Sequence, residues 1–319
     1  MQFILTDLQK EIKENAEKLL SEQIDLLETI KKVDDDVRID SDLWKLINEQ
    51  GWLALDVPED DGGLGFSTVE ASILSEVSGY YLPIIPLFSS GVVFKHLLMN
   101  SNTDIKNKLL PEIISGEKIG TFALYESDKY EIGDDTIESN LASSGDGMLL
   151  NGTKKYVMFG DVSDYIAVLT KSNEGFKFVL VEAKQQGVEI VQTPSLDQSR
   201  PLAEVTFTDV VIEPENIMIE LDQELSIWNK VQNIATAFLA MEQVGGSQAC
   251  LEMSTSYAKE RIQFGRPIGS FQAIQHICAN MLLQIESAKS LAHNAVRVDI
   301  DNQTELEMSA LLAKSYCSE

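Results

Sequence analysis

One short stretch of the sequence combines a cation, two aromatic rings and closely spaced glycines: Arg261-Ile-Gln-Phe-Gly-Arg-Pro-Ile-Gly-Ser-Phe-Gln272. Arginine offers a forked, permanently charged donor that matches a phosphate or pyrophosphate. Phe264 and Phe271 could bracket an aromatic ring, and Gly265 and Gly269 would let the backbone approach a ligand closely. The same residue types also suit a helix end, where a cation complements the dipole and a proline stops the helix. Taken alone, the stretch predicts either a dinucleotide site or a helix terminus followed by a loop.

A second candidate for chemistry is Glu242, the one carboxylate in the apolar helical run Ala237-Phe-Leu-Ala-Met-Glu-Gln-Val-Gly-Gly246. We expect this setting to bury the side chain substantially, and burial raises a carboxyl pKa toward the range of a general base. The alternative is that Glu242 pairs with a basic residue across a helix bundle or faces solvent at a subunit seam.

The elements that must position these residues fall into three zones. Residues 1–118 carry apolar side chains at helical spacing, for example Val69, Ile73, Leu74 and Val77, and are predicted to be helical. Residues 119–219 form a β zone. Residues 220–319 return to helical spacing in two long segments, 225–261 and 270–299, which favour a helix bundle.

The β zone contains short runs of β-forming residues separated by turn signals. The turn signals are Asp146-Gly147, Asn151-Gly152 and Glu174-Gly175. The runs are Met148–Leu150, Tyr156–Met158, Tyr165–Leu169, Phe176–Val181, Val188–Val191 and Val205–Thr208. Several strands within about a hundred residues predict a small barrel or sandwich, and hence an α+β protein.

Composition excludes several classes of function. The net charge of −26 repels nucleic-acid backbones, so we expect no nucleic-acid partner. The three cysteines lack CxxC spacing and, with only three histidines, argue against a zinc site or a disulfide framework. No apolar run reaches the length of a membrane span and no secretory signal is visible, which predicts a cytoplasmic protein.

Four motifs, in order, resemble those of the acyl-CoA dehydrogenases. The stretch from Arg261 to Gln272, preceded by Tyr257-Ala-Lys-Glu260 and followed by Ala273-Ile-Gln-His276, resembles their flavin-binding signature. Gly51-Trp-Leu-Ala-Leu-Asp-Val-Pro-Glu-Asp-Asp-Gly-Gly-Leu-Gly65 resembles their N-terminal glycine turn. Leu110-Pro-Glu-Ile-Ile-Ser-Gly-Glu-Lys-Ile-Gly120 resembles the entry into their β domain, and Leu150-Asn-Gly-Thr-Lys154 the strands that lead to the flavin.

The resemblance implies an N-terminal helical domain (1–118), a middle β-barrel or sandwich domain (119–219) and a C-terminal helical domain (220–319). It implies FAD as the cofactor, desaturation of an acyl-CoA substrate, and an electron-transferring flavoprotein as electron acceptor. In that family the arginine-bearing loop reaches the flavin of a neighbouring subunit. A homo- or hetero-oligomer, dimeric or tetrameric, is therefore expected.

The same resemblance supplies the candidate flavin contacts. They are Phe122, Leu124, Tyr125 and Glu126 in one loop, Tyr156, Val157 and Met158 in a strand, and Arg261, Gln263, Phe264, Ile268, Phe271 and Gln272 in the signature. Glu242 is the candidate base, one heptad beyond Ala235, where some family members place their glutamate, so that both share a helix face.

The chain departs from the family pattern in the flavin loop and in substrate binding. Phe122-Ala-Leu-Tyr-Glu-Ser-Asp128 lacks the usual proline and glycines, and Tyr156-Val-Met158 lacks the hydroxyl that normally donates to the flavin ring. Main-chain donors could still serve. The usual acidic–basic substrate pair is replaced by Asn233 and Thr236, a loose likeness to members that act on bulky or ring-bearing acyl-CoAs, some of which pair unlike subunits.

The sequence ends at Glu319, before the glycine-rich flavin contact and glutamate-bearing helix that the resemblance places after Ala313-Lys314. We therefore expect either a truncated chain or a naturally short subunit. Three functions stay open: a catalytic acyl-CoA dehydrogenase, a non-catalytic or half-site subunit of a hetero-oligomeric one, and a flavin oxidase or monooxygenase on the same fold.

Overall fold

The computed structural model describes residues 5–128, 132–133, 135–144 and 147–319. Asp146, half of one predicted turn, lies outside these residues. The order of elements is helices, then strands, then helices, which confirms the predicted fold class.

The N-terminal zone is helical, and capping side chains fix where two of its helices begin. The Thr6 hydroxyl accepts from the Gln9 amide at the start of the first helix, and Ser67 forms a capping box with Glu70 at the start of the fourth. A π-helical turn, Ser89–Phe94, precedes the fifth. The helices are α1 (Asp7–Gln23), α2 (Leu26–Asp34), α3 (Ser41–Glu49), α4 (Thr68–Tyr81), α5 (Lys95–Met99) and α6 (Thr103–Ile114).

The middle zone forms a mixed eight-stranded sheet. Its strands are β1 (Gly120–Ala123), β2 (Asn140–Ser144), β3 (Gly147–Met158), β4 (Tyr165–Ser172), β5 (Gly175–Glu182), β6 (Val188–Thr193), β7 (Leu202–Ile212) and β8 (Ile217–Glu220). The order is β6-β7-β3-β2-β4-β5-β8, with β1 parallel beside β4. Side chains such as Leu150, Val168, Val179 and Phe207 form its core. The predicted turn at Glu174-Gly175 joins β4 and β5 and is confirmed.

The predicted turn at Asn151-Gly152 is wrong, because β3 runs through it. The strand register with β7 shifts between Leu150 and Gly152, so the pair forms a bulge. Gly152 has a φ of 146°, and a Cβ built on it would lie 2.4 Å from the Cβ of Ser139. A glycine is needed here for the close approach of another segment, and not for a chain reversal.

The C-terminal zone contains three helices, α7 (Ser226–Glu260), α8 (Gln272–Ala295) and α9 (Gln303–Cys317). The first two match the predicted segments. The three helices share a core that is lined by alanines, including Ala240 of α7, Ala292 of α8 and Ala310 of α9.

Contacts divide the chain into two compact units, and each is discontinuous in sequence. The helical unit contains residues 1–26, 67–82 and 233–319, and the β-containing unit contains residues 27–66 and 83–232. The predicted domain limit at 118 lies between α6 and β1, and the limit at 219 lies inside β8.

Candidate functional site

In the β-containing unit, the first group of candidate residues lies where β1 runs out into the loop 124–128. Phe122 and Tyr125 are half-buried, and Leu124 is buried. The Lys155 amide on β3 donates to the Tyr125 carbonyl oxygen at 2.7 Å, which ties this loop to the neighbouring strand.

The strand end at Tyr156 has an unusual backbone. Its φ is +58°, a region that an aromatic residue rarely adopts, and the register between β3 and β7 shifts between Lys154 and Val157. Tyr156 is consequently turned outward and 39% exposed, while Val157 is buried and Met158 is half-buried. Strained backbone of this kind is often found where a ligand binds.

The hydroxyl that β3 lacks at Met158 is not supplied by Thr121 on the neighbouring strand β1. The neighbouring hydroxyl, that of Thr121 on β1, donates to the Met158 carbonyl oxygen at 2.6 Å. Thr121 is fully buried, so this hydroxyl holds β1 against β3 and does not face a ligand.

Glu126 and Lys154 form an ion pair beneath the loop. The Lys154 side chain is 0% exposed and its Nζ lies 2.5 Å from Glu126 Oε1. Burial lowers the pKa of Lys154 to about 8, although Glu126 opposes the shift. Burial alone would raise the pKa of Glu126, but the Lys154 charge and hydrogen bonds hold it below its ordinary value.

In the helical unit, the second group of candidates forms a projecting hairpin after α7. Two short strands, Ile262–Gln263 and Arg266–Pro267, pair across Phe264 and Gly265, which both have positive φ. The Ile268 amide donates to the Arg261 carbonyl oxygen at 2.8 Å and closes the hairpin. Gln272 then begins α8.

The hairpin displays its charge and its rings to the surroundings. Phe264 is 91% exposed and meets Phe271 edge-to-face, with ring centroids 6.1 Å apart. The Arg266 guanidinium lies 4.2 Å from the Phe271 ring centre. Arg261 and Gln263 are exposed, and Arg261 has no ion-pair partner in the part of the chain that the structure describes. An exposed guanidinium beside an exposed aromatic ring has the chemistry to bind a dinucleotide, so these residues fit FAD.

Glu242 lies in the middle of α7 and is half-buried, less than the expected substantial burial. The carbonyl oxygen of Glu242 lies where α7 passes α4. A Cβ built on Gly79 of α4 would lie 1.9 Å from that oxygen. The same Cβ would lie 2.9 Å from the Cγ of Glu242, so the main chain of Glu242 and the start of its side chain both pack against α4 at Gly79.

Sequence reasoning missed the carboxylate that is buried in the helical unit, Glu76 on α4, which is 5% exposed. Its Oε1 lies 2.9 Å from Lys13 Nζ and 3.6 Å from Lys289 Nζ, and its Oε2 lies 3.9 Å from His293 Nε2. Burial raises its pKa but the lysine charges more than offset this, so the pKa is lowered. The signal was available, since Glu76 interrupts the apolar run of α4 as Glu242 interrupts that of α7.

Lys154 and Thr121 were also missed as site-forming residues. Lys154 shares a strand face with Leu150, and a lysine on the core-facing side of a strand indicates a buried partner. Within the described residues, no helix is long and apolar enough to span a membrane, and no group of three or more histidine, cysteine or acidic side chains is placed to hold a metal ion.

Two protein-family profiles match this chain, one in its N-terminal part and one in its C-terminal part. The profile of the acyl-CoA dehydrogenase N-terminal domain matches residues 6–117, and that of the C-terminal domain matches residues 232–319. The hairpin and Glu242 lie in the second match.

Relatives are similar along nearly the whole chain. A mitochondrial 2-methylacyl-CoA dehydrogenase of Solanum tuberosum is 29% identical over 94% of this chain and 75% of its own. The CarC subunit of the caffeyl-CoA reductase-Etf complex of Acetobacterium woodii is 26% identical over 98% of this chain and 83% of its own. Among solved structures, a glutaryl-coenzyme A dehydrogenase in complex with glutaryl-CoA superposes with a TM-score of 0.89 at 24% identity, covering 100% of this chain and 85% of that one.

Proposed function

Since the chain belongs to the acyl-CoA dehydrogenase family, we propose that it carries out the FAD-dependent α,β-desaturation of an acyl-CoA thioester and passes the electrons to an electron-transferring flavoprotein. The observation that carries the proposal is the hairpin of residues 261–272. It presents an exposed guanidinium and an exposed ring at the end of a long helix, within the segment that matches the family's C-terminal domain.

Two sets of residues would hold FAD, which when bound supplies the acceptor for the substrate's β-hydride. Phe122, Leu124, Tyr125, Glu126 and Tyr156 to Met158 would lie against the ring system, largely through main-chain groups. Arg261, Gln263, Phe264, Ile268, Phe271 and Gln272 would contact the FAD of a neighbouring subunit. The exposed hairpin supports the second assignment, because its ring and charge are left open to another chain.

Glu242 would take the α proton of the substrate. A carboxylate on an apolar helix has the required basicity when it is partly desolvated, and Glu242 is half-buried on α7. It stands seven residues beyond Ala235, so both positions share one face of that helix.

A half-site subunit of a hetero-oligomer is the second candidate function. It is favoured by the altered flavin strand, where Met158 supplies no hydroxyl and its carbonyl oxygen is already bonded to Thr121. A relative that is named as one subunit of a reductase–Etf complex is consistent with such an arrangement.

Anaerobic mixing with acyl-CoA thioesters tests the proposed function. The purified protein should carry oxidised flavin and be yellow, and a substrate should bleach the visible flavin absorbance in the absence of oxygen. Adding electron-transferring flavoprotein should then restore the colour. A colourless protein that takes up no FAD contradicts the proposal. Bleaching with rapid oxygen uptake on re-aeration would instead indicate an oxidase.

A further inference from the structure

Lys154 makes two bonds to the loop that follows β1. Its side chain is fully buried on the core face of β3, and Nζ donates to the Leu124 carbonyl oxygen at 2.9 Å and to Glu126 Oε1 at 2.5 Å. The Lys154 ammonium therefore fixes both the main chain at Leu124 and the side chain of Glu126.

Glu126 extends the same connection to a third segment. Its carboxylate accepts from the Glu138 amide at 2.6 Å, and from both the amide and the hydroxyl of Ser139, the latter at 2.6 Å. Ser139 precedes β2 and is the residue that packs against Gly152 of β3. The loop is thus held between β3 and the start of β2. Glu126 joins the two sides, and Lys154 anchors both Glu126 and the Leu124 carbonyl to β3.

The presence of a buried ion pair is weak evidence that this lysine is there for stability. A buried ion pair loses hydration on both partners, and apolar residues of similar volume are often as stable or more so. The depressed pKa of Lys154 reflects this cost of burial. Lys177 on β5 is a useful contrast, because it is 4% exposed but pairs with Glu174 and Glu220, which are largely exposed. Lys154 instead pairs inside the protein, with groups of one loop.

On the basis of the proposed function, we propose that Lys154 is a positioning residue for FAD. It holds the main chain of residues 124–126 in the conformation that binds the cofactor, through the Leu124 carbonyl and the Glu126 carboxylate. It does not touch the cofactor itself, since its side chain is wholly buried.

The test compares Lys154→Met, Lys154→Arg and the control Lys177→Met in the full chain. FAD is titrated into flavin-free protein, and the dissociation constant is measured by flavin fluorescence. Lys154→Met should weaken FAD binding by at least about tenfold, the effect of losing a hydrogen bond to a charged group. Lys154→Arg keeps the charge and should recover part of the affinity. Lys177→Met should bind FAD as the wild type does.

Hydrogen exchange in the flavin-free protein gives a second, independent measurement. Amides of residues 122–128 should exchange faster in Lys154→Met than in wild type or Lys177→Met, because the loop has lost its anchor. If Lys154→Met does not fold, Glu126→Gln removes the charge of the pair but keeps the acceptor oxygen, and the same faster exchange and weaker binding are expected. Wild-type affinity and exchange in the substituted proteins would overturn the inference and leave the proposed function intact. A wild-type protein that binds no FAD would overturn the proposed function and the inference together.

Discussion

The guanidinium of Arg261 is exposed at the C-terminal end of α7, where a bound pyrophosphate would be its natural partner. We predict that Arg261→Ala weakens FAD binding about 10- to 100-fold, since it removes a charge-assisted, forked donor. The helical circular dichroism should stay nearly unchanged. Flavin absorbance per protein after gel filtration measures the loss.

Lys259→Ala is the matched control, because it removes a neighbouring exposed cation from the same helix. It should retain flavin as the wild type does. Equal retention by Arg261→Ala would place the pyrophosphate elsewhere.

Glu242 can be tested separately from packing with Glu242→Gln, which keeps the shape and hydrogen-bonding capacity but removes the ionisable group. If Glu242 takes the α proton, FAD and acyl-CoA still bind. Anaerobic bleaching should then slow by roughly 10²–10⁴-fold, the usual effect of losing a general base. Stopped-flow absorbance measures the rate.

Glu252→Gln, ten residues further along α7, serves as the control, because Glu252 accepts from Tyr80 and Gln248 at an exposed position. Should Glu242→Gln and wild type bleach at equal rates, the proton acceptor is another carboxylate.

His293 makes the helical unit sensitive to acid. Burial lowers its pKa to about 4, against the opposing charge of Glu76, while Lys13, Lys289 and Arg297 lower it further. The unfolded chain binds a proton near pH 6.5 and the folded chain does not, so stability falls as the pH drops from about 6.5 to 4. The loss from this residue is about 3 kcal/mol.

His293→Gln cannot titrate, so its thermal midpoint should fall less steeply over the same pH range. Differential scanning fluorimetry of both proteins provides the comparison. Parallel curves would mean that the pKa of His293 is the same in the folded and the unfolded chain, which contradicts the prediction. As the pH falls below the ordinary glutamate pKa of 4.5, Glu76 adds a second loss in both proteins, because its lowered pKa stabilises the fold only while the carboxylate is ionised.

At the scale of elements, α4 and α7 touch through their backbones. A Cβ built on Gly245 would lie 1.8 Å from the Glu76 carbonyl oxygen, whereas one built on Gly246 would come no closer than 3.4 Å to the Gly79 carbonyl oxygen. Gly245→Ala must push the helices apart and should cost about 1–3 kcal/mol. Gly246→Ala should instead stabilise by about 0.5–1 kcal/mol, because alanine favours the helix.

Urea unfolding followed by circular dichroism measures both free energies. Since the two glycines are adjacent on one helix, their difference isolates the contact from helix propensity. If the two variants changed the free energy of unfolding by similar amounts, the close contact at Gly245 would contribute nothing to stability.

The sequence predicted the elements better than it predicted their contacts. The helices of residues 225–261 and 270–299 were recognised because apolar periodicity is a local property, and the structure has them as α7 and α8. Asn151-Gly152 misled because the same dipeptide serves a turn or a bulge, and only the approach of Ser139 decides between them. Lys154 and Glu76 each stand out locally as a charge that shares an element face with apolar side chains. The pairs themselves were missed because the partners, Glu126 and Lys13, lie 28 and 63 residues away along the chain.

At the scale of the whole molecule, the helical unit exposes apolar side chains on α8 and α9. Leu283 is 67% exposed, Ile277 and Leu311 are 56% exposed, and Met308 is 60% exposed. Exposed apolar side chains on a surface favour association when they are contiguous. We predict a dimer or tetramer that Leu283→Glu, together with Leu311→Glu, shifts toward monomer.

Light scattering after gel filtration measures the mass. Lys259→Ala, an exposed change without apolar surface, should leave the mass unaltered. An oligomer that survives both glutamates would place the interface on other surfaces.

The discontinuity of the helical unit has a consequence for synthesis on the ribosome. Tyr80 on α4 donates to Glu252 on α7, and 172 residues separate them. At about 5–20 residues per second, α4 waits on the order of ten seconds or more for its partner. The N-terminal helix α1 can pack against α4 at once, through pairs such as Lys13 and Glu76. The face of α4 that packs on α7 stays uncovered while residues 83–232 leave the exit tunnel. A ribosome paused at the start of α7 should therefore carry a nascent chain that chaperones recognise by the uncovered face of α4.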